Sequence, residues 1–173
     1  MRRFVSAIAT AALVGLGPVA LPAAGTAAGE RIRTVEFTGT STFDFESVEC
    51  SFAHQLFDAT LTTSRGATLH LEGCADLVSS TVFPFTGTFA IEWGRRSITG
   101  TVTGSVGTPT SSTCGGLFPA GLDFELTPTS GTGRPHDPVA PLQLDGVWCS
   151  PATPNVPGPI SGTLTGALPP GIR

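Results

Sequence analysis

Phe85-Thr86-Gly87-Thr88-Phe89-Ala90-Ile91-Glu92-Trp93-Gly94-Arg95-Arg96-Ser97-Ile98-Thr99-Gly100-Thr101-Val102-Thr103-Gly104-Ser105-Val106 is the stretch that decides the fold. Phe85, Gly87, Phe89, Ile91 and Trp93 alternate with Thr86, Thr88 and Glu92. After Gly94-Arg95-Arg96 the pattern returns as Ile98, Gly100, Val102, Gly104 and Val106, set against Ser97, Thr99, Thr101, Thr103 and Ser105. Side chains of a strand point to alternate faces, so a period of two separates apolar from polar residues only in β structure. Two such runs around a glycine-bearing tip predict a hairpin.

The same signature extends in both directions. From Val35 to Phe45 one face carries Val35, Phe37, Gly39, Ser41, Phe43 and Phe45, and the other is wholly polar through Glu46, with Gly39 marking a bend or bulge. Gln55 to Leu61 and Ala67 to Gly73 read as two strands joined by a turn at Ser64-Arg65-Gly66. Leu122 to Leu126 and Ile160 to Gly166 read as later strands, with a short one over Leu142 to Trp148. Residues 128–159 contain eight prolines, and proline lacks the amide donor of a central strand, so most of that region is expected to be loop or sheet edge. Seven or eight strands must stack as two sheets or close on themselves. Glycines on the apolar faces (Gly39, Gly87, Gly100, Gly104, Gly162, Gly166) suit a tightly curved sheet, which favours an antiparallel β-barrel over a β-sandwich.

The first 28 residues set the compartment. Arg2 and Arg3 precede a mostly Ala, Val, Leu and Ile run from Phe4 to Leu16, followed by Pro18, Pro22 and the small residues Gly25-Thr26-Ala27-Ala28. This order predicts a signal peptide cleaved after Ala28, since the apolar run is too short to span a bilayer. Residues 29–173 then form a single secreted domain, released outside the cell with no membrane insertion after cleavage. Their seven arginines against thirteen acids, with no lysine, give a formal charge of −6. A scattered acidic surface argues against nucleic acid and anionic membranes, which attract clustered positive charge. Arg95-Arg96 is the one local basic pair, and it reads first as a solvated turn.

Cys50, Cys74, Cys114 and Cys149 make an even count in an exported chain, which predicts two disulfides. Of three pairings, the sequential one, Cys50–Cys74 and Cys114–Cys149, is favoured because neighbouring strands usually lie side by side. Wide spacings without a C-x-x-C pair argue against a thiolate metal site.

The run Gly87 to Gly94 leading into Ser97 to Val102, the segment Cys114-Gly115-Gly116-Leu117-Phe118-Pro119-Ala120-Gly121, and the closing Gly162-Thr163-Leu164-Thr165-Gly166 resemble small secreted all-β proteins of actinobacteria. That resemblance implies a β fold and export and supplies no catalytic residue.

Chemistry is sparse. No G-x-S-x-G elbow accompanies the three histidines His54, His70 and His136. His70, Glu72 and Cys74 share one strand face, where a metal could bridge them, but Leu69 and Leu71 claim the opposite face for the core and leave the histidine side wet. Glu36, Glu46, Glu72, Glu92 and Glu125 fall on polar faces, so no pair stands out for glycoside hydrolysis. Trp93 continues the Phe89 and Ile91 face, and Trp148 adjoins Cys149, where packing over a disulfide explains it. No catalytic residue, metal or cofactor is assigned. The leading expectation is a non-catalytic barrel holding a small apolar ligand or a partner, with Phe89, Trp93 and Trp148 as candidate contacts. An envelope-surface interaction protein comes next and a secreted hydrolase third.

Overall fold

The computed structural model describes residues 32–44, 50, 54–76, 82–107, 114–132, 140–151 and 153–172. Eight strands follow one another: β1 (Arg33–Asp44), β2 (His54–Thr62), β3 (Thr68–Asp76), β4 (Val82–Trp93), β5 (Arg96–Gly107), β6 (Phe118–Gly131), β7 (Leu142–Ser150) and β8 (Gly158–Gly166). Each pairs antiparallel with the next, and β1 pairs with β8, closing an up-and-down barrel. The sandwich alternative is thereby excluded. Predicted segment 45–46 of the first strand lies outside the described residues.

Alternation is realised along every wall. Val35, Phe37, Ser41 and Phe43 of β1 are buried, while Thr34, Glu36, Thr38 and Thr40 are exposed. The buried residues of all eight strands form one core inside the barrel. A polar outside over an apolar inside is the reverse of a transmembrane barrel, whose lipid face is apolar.

Closure at this diameter depends on side-chain size. Phe85 and Phe124 are both ladder partners of Gly104, one from each side, and their rings stack over it with centroids 4.7 Å apart. Phe89 likewise faces Gly100, and Phe37 faces Gly162. Large and small residues alternate across strands, so eight strands enclose a filled interior rather than a channel. At the predicted bend, a Cβ on Gly39 would meet the Thr60 carbonyl oxygen and come 2.7 Å from Leu61 Cα. The β1 and β2 backbones approach there as only glycine allows.

The turns follow their chemistry. Trp93 pairs with Arg96, so the hairpin tip is the two-residue Gly94-Arg95, with Gly94 at φ 61°. Strand β6 is much longer than the predicted Leu122–Leu126 and contains Pro119 and Pro128. Pro128 is accommodated because the β5–β6 register shifts between Thr99 and Gly100, a bulge where a missing donor is tolerated. The proline-rich region accordingly contains the end of β6, all of β7 and the start of β8.

The barrel has two unlike ends. At its base the chain turns under after β8, with Leu168 N–H donating to the Gly166 carbonyl at 2.9 Å, and Leu168 and Ile172 are buried in the core. Gly171 sits against Trp93: a Cβ there would come 3.0 Å from the indole Cδ1. The opposite end, the mouth, carries both disulfides, Cys50–Cys74 and Cys114–Cys149. Between β7 and β8, Asn155 adopts φ 60° and its N–H donates to the Phe43 carbonyl at 2.9 Å. Asn tolerates this left-handed conformation better than other residues. Asn155→Ala is expected to cost about 1 kcal/mol and Asn155→Gly almost nothing, measured by urea unfolding.

Candidate functional site

At the mouth the filled interior gives way to a recess of about 200 Å³. It is built from the mouth halves of the strands: Phe43 lies one residue before the end of β1, Phe57 is the fourth residue of β2, Phe83 the second of β4, Val106 one before the end of β5, Phe118 opens β6 and Trp148 lies two before the end of β7. Gln55 and Ser150 add the side-chain polar groups. The ladder explains this convergence, since Phe43 and Phe57 are direct cross-strand partners. Trp148 packs edge-on to both, with centroids 5.3 Å from Phe43 and 5.2 Å from Phe57. Phe57 in turn meets Phe85 at 5.7 Å, which ties the recess floor to the core stack.

Trp148 itself is 6% exposed. Its neighbour Cys149 lies on the opposite face of β7, bonded to Cys114, because alternation separates consecutive residues. Trp148 therefore stacks on aromatic rings inside the barrel, in place of the expected packing over the disulfide. The indole edge abuts β8, where a Cβ on Gly158 would come 3.1 Å from Nε1. Among the described residues, three side-chain atoms are buried without a hydrogen-bond partner: Trp148 Nε1, the hydroxyl of Ser41, whose ladder partner is Gly158, and, at the base, Trp93 Nε1. A buried donor left unpaired costs about 1–3 kcal/mol.

Only one of the three candidate contact residues reaches this recess. Phe89 is buried deep in the wall against Gly100, and Trp93 lies at the base beside Gly171. Phe43, Phe57 and Phe118 lie beside Trp148 instead.

Outside the barrel the sequence clusters stay apart from the recess. His70 and Glu72 are exposed, and His70 Nδ1 lies 3.1 Å from the Thr60 hydroxyl. Cys74 is bonded to Cys50. Among the described residues no group of three or more His, Cys, Asp or Glu side chains is placed to hold a metal ion. The side chain of His54 and residue His136 fall outside the described ones.

The fold and the recess together define an up-and-down barrel, polar outside and filled inside, with an aromatic-lined mouth. Comparison with protein-family models, with curated proteins and with solved structures returned no match.

Proposed function

We propose that the protein is a secreted, non-catalytic binding barrel whose mouth takes a small apolar molecule. The observation that carries this reading is the recess of about 200 Å³, lined by aromatic rings, at the mouth end of the buried core. Two disulfides suit the oxidising exterior that the N-terminal segment implies.

Size limits the occupant. The recess is smaller than the roughly 300–1,000 Å³ of drug-sized ligand sites, and larger than the ~150 Å³ cavity that holds benzene. An occupant of about seven to ten non-hydrogen atoms follows. At ~0.6 kcal/mol per atom such a ligand gains about 5 kcal/mol, a Kd on the order of 10⁻⁴ M.

The test is a toluene titration of the Trp93→Phe variant, in which Trp148 is the sole fluorophore. Saturable change in Trp148 emission is expected at sub-millimolar toluene, and Ala120→Phe, which fills the recess from β6, should weaken it at least tenfold. Unchanged emission up to millimolar toluene would sink the reading.

A second reading rests on the rim. Phe118, Val82 and Val156 are 66%, 46% and 43% exposed around this same mouth. An apolar rim of this kind suits contact with an envelope component. The double variant Val82→Ser with Val156→Ser separates the two readings, because neither residue lines the recess: it should weaken such contact and leave toluene binding intact.

A further inference from the structure

The arginines are sorted by the fold in a way composition alone conceals. All four described ones lie at the base: Arg33 opens β1, Arg65 sits in the β2–β3 turn, Arg95 in the β4–β5 turn, and Arg96 opens β5. They occupy the half of the basal rim that runs from β1 to β5. Arg65, Arg95 and Arg96 are exposed and Arg33 is half-exposed. Among the described residues none of the four guanidinium groups has an ion-pair partner. Glu92, one residue from the end of β4, is the single acid of the described residues within two positions of that end. The other described acids lie along the walls or towards the mouth, from Glu36, three residues into β1, to Asp44 and Asp76 at the ends of β1 and β3.

We propose that the base is a docking face for a bilayer containing anionic phospholipid, which holds the protein at a membrane surface with its mouth turned outward. Two features favour a bilayer over a soluble polyanion. The tail that buries Leu168 and Ile172 fills the barrel end, so the arginines border a closed face rather than a groove that a linear polymer could follow. Ile32, next to Arg33, is 73% exposed. Arginines beside an exposed aliphatic residue are a combination that settles at the headgroup boundary. Guanidinium groups also match phosphate geometry.

The net negative charge does not oppose this. A barrel about 30 Å tall keeps acids at the mouth several screening lengths away, each ~8 Å at physiological salt. The bilayer therefore responds to the nearest face. Each arginine near an anionic surface contributes roughly a fivefold gain in partitioning.

Co-sedimentation with vesicles tests the proposal, comparing equal parts phosphatidylglycerol and phosphatidylcholine with phosphatidylcholine alone. The purified protein is expected to pellet at least tenfold more with the anionic vesicles, and to be released by high salt. The exposed-site variant R33Q/R65Q/R95Q/R96Q should lose at least a hundredfold in partitioning, with its circular dichroism unchanged. Ile32→Ser should weaken binding several-fold at unchanged charge. The wall variant D58N/E72Q raises the net charge by two and should leave binding nearly as it is. Equal pelleting with both vesicle types, or no loss in the quadruple variant, overturns the proposal. So does binding to soluble polyphosphate without binding to vesicles.

Discussion

Reduction of both disulfides is expected to remove about 7 kcal/mol of stability and leave the protein largely unfolded at ambient temperature. The bridges close loops of 24 and 35 residues. On the chain-entropy model they contribute about 3.4 and about 3.8 kcal/mol, by restricting the unfolded chain. A domain of this size has a total stability of about 5–15 kcal/mol, so the loss is comparable to the whole. Placement adds to the effect. Both bridges tie the mouth, Cys50 to the end of β3 and Cys114 to the end of β7, one residue beyond Trp148. Urea unfolding followed by tryptophan emission, with and without dithiothreitol, measures it. An unchanged midpoint would show that closure and core packing suffice without the cross-links.

The second large effect is expected from Gly104→Val. A Cβ at this position would meet the Asp123 carbonyl oxygen, come 2.8 Å from Phe124 Cα and 2.9 Å from its ring Cδ1. The added methyls would be driven between Phe85 and Phe124, whose stack spans three strands over that glycine. Overpacking costs about 1–3 kcal/mol, and losing the aromatic pair about another 0.5–1.5. A destabilisation of ~3–4 kcal/mol follows. The neighbouring Thr103→Val, on the exposed face of β5, should stay within ~0.5 kcal/mol. Equal unfolding midpoints for the two variants would show that the wall does not need a bare backbone at position 104.

Much of this architecture is legible in the chain. The segment from Phe85 to Val106 gave its hairpin, with only Arg96 passing from the expected turn into β5, because a period of two is unambiguous where threonine and glycine fill the gaps. Glycines on the apolar face pointed to closure, and the structure shows why: Gly39, Gly100 and Gly104 sit where a neighbouring backbone or ring leaves no space for a Cβ. Sequence order also paired the cysteines as they are bonded. Strand β6 was underestimated because proline was read as a terminator, and a bulge opposite Thr99–Gly100 cannot be seen without its partner strand. The recess was harder still. Alternation reveals which face a residue occupies but not its height along the barrel. Phe89 and Trp93 share an inward face with Phe85, yet lie progressively nearer the base. Phe57, four residues into β2, and Phe118, the first of β6, do reach the mouth, at a level that only register fixes.

The pairing of β1 with β8 has a kinetic consequence. Arg33 lies opposite Gly166, so the contact that completes the barrel joins residues near the two extremes of the described chain. The other seven ladders join consecutive strands, so this one forms last, because the long intervening loop must be closed before its contacts can form. A chain still emerging from a ribosome or a translocation pore cannot complete this wall until its last strand is free. The topology thus lets the hairpins form in turn and delays closure of the barrel until release.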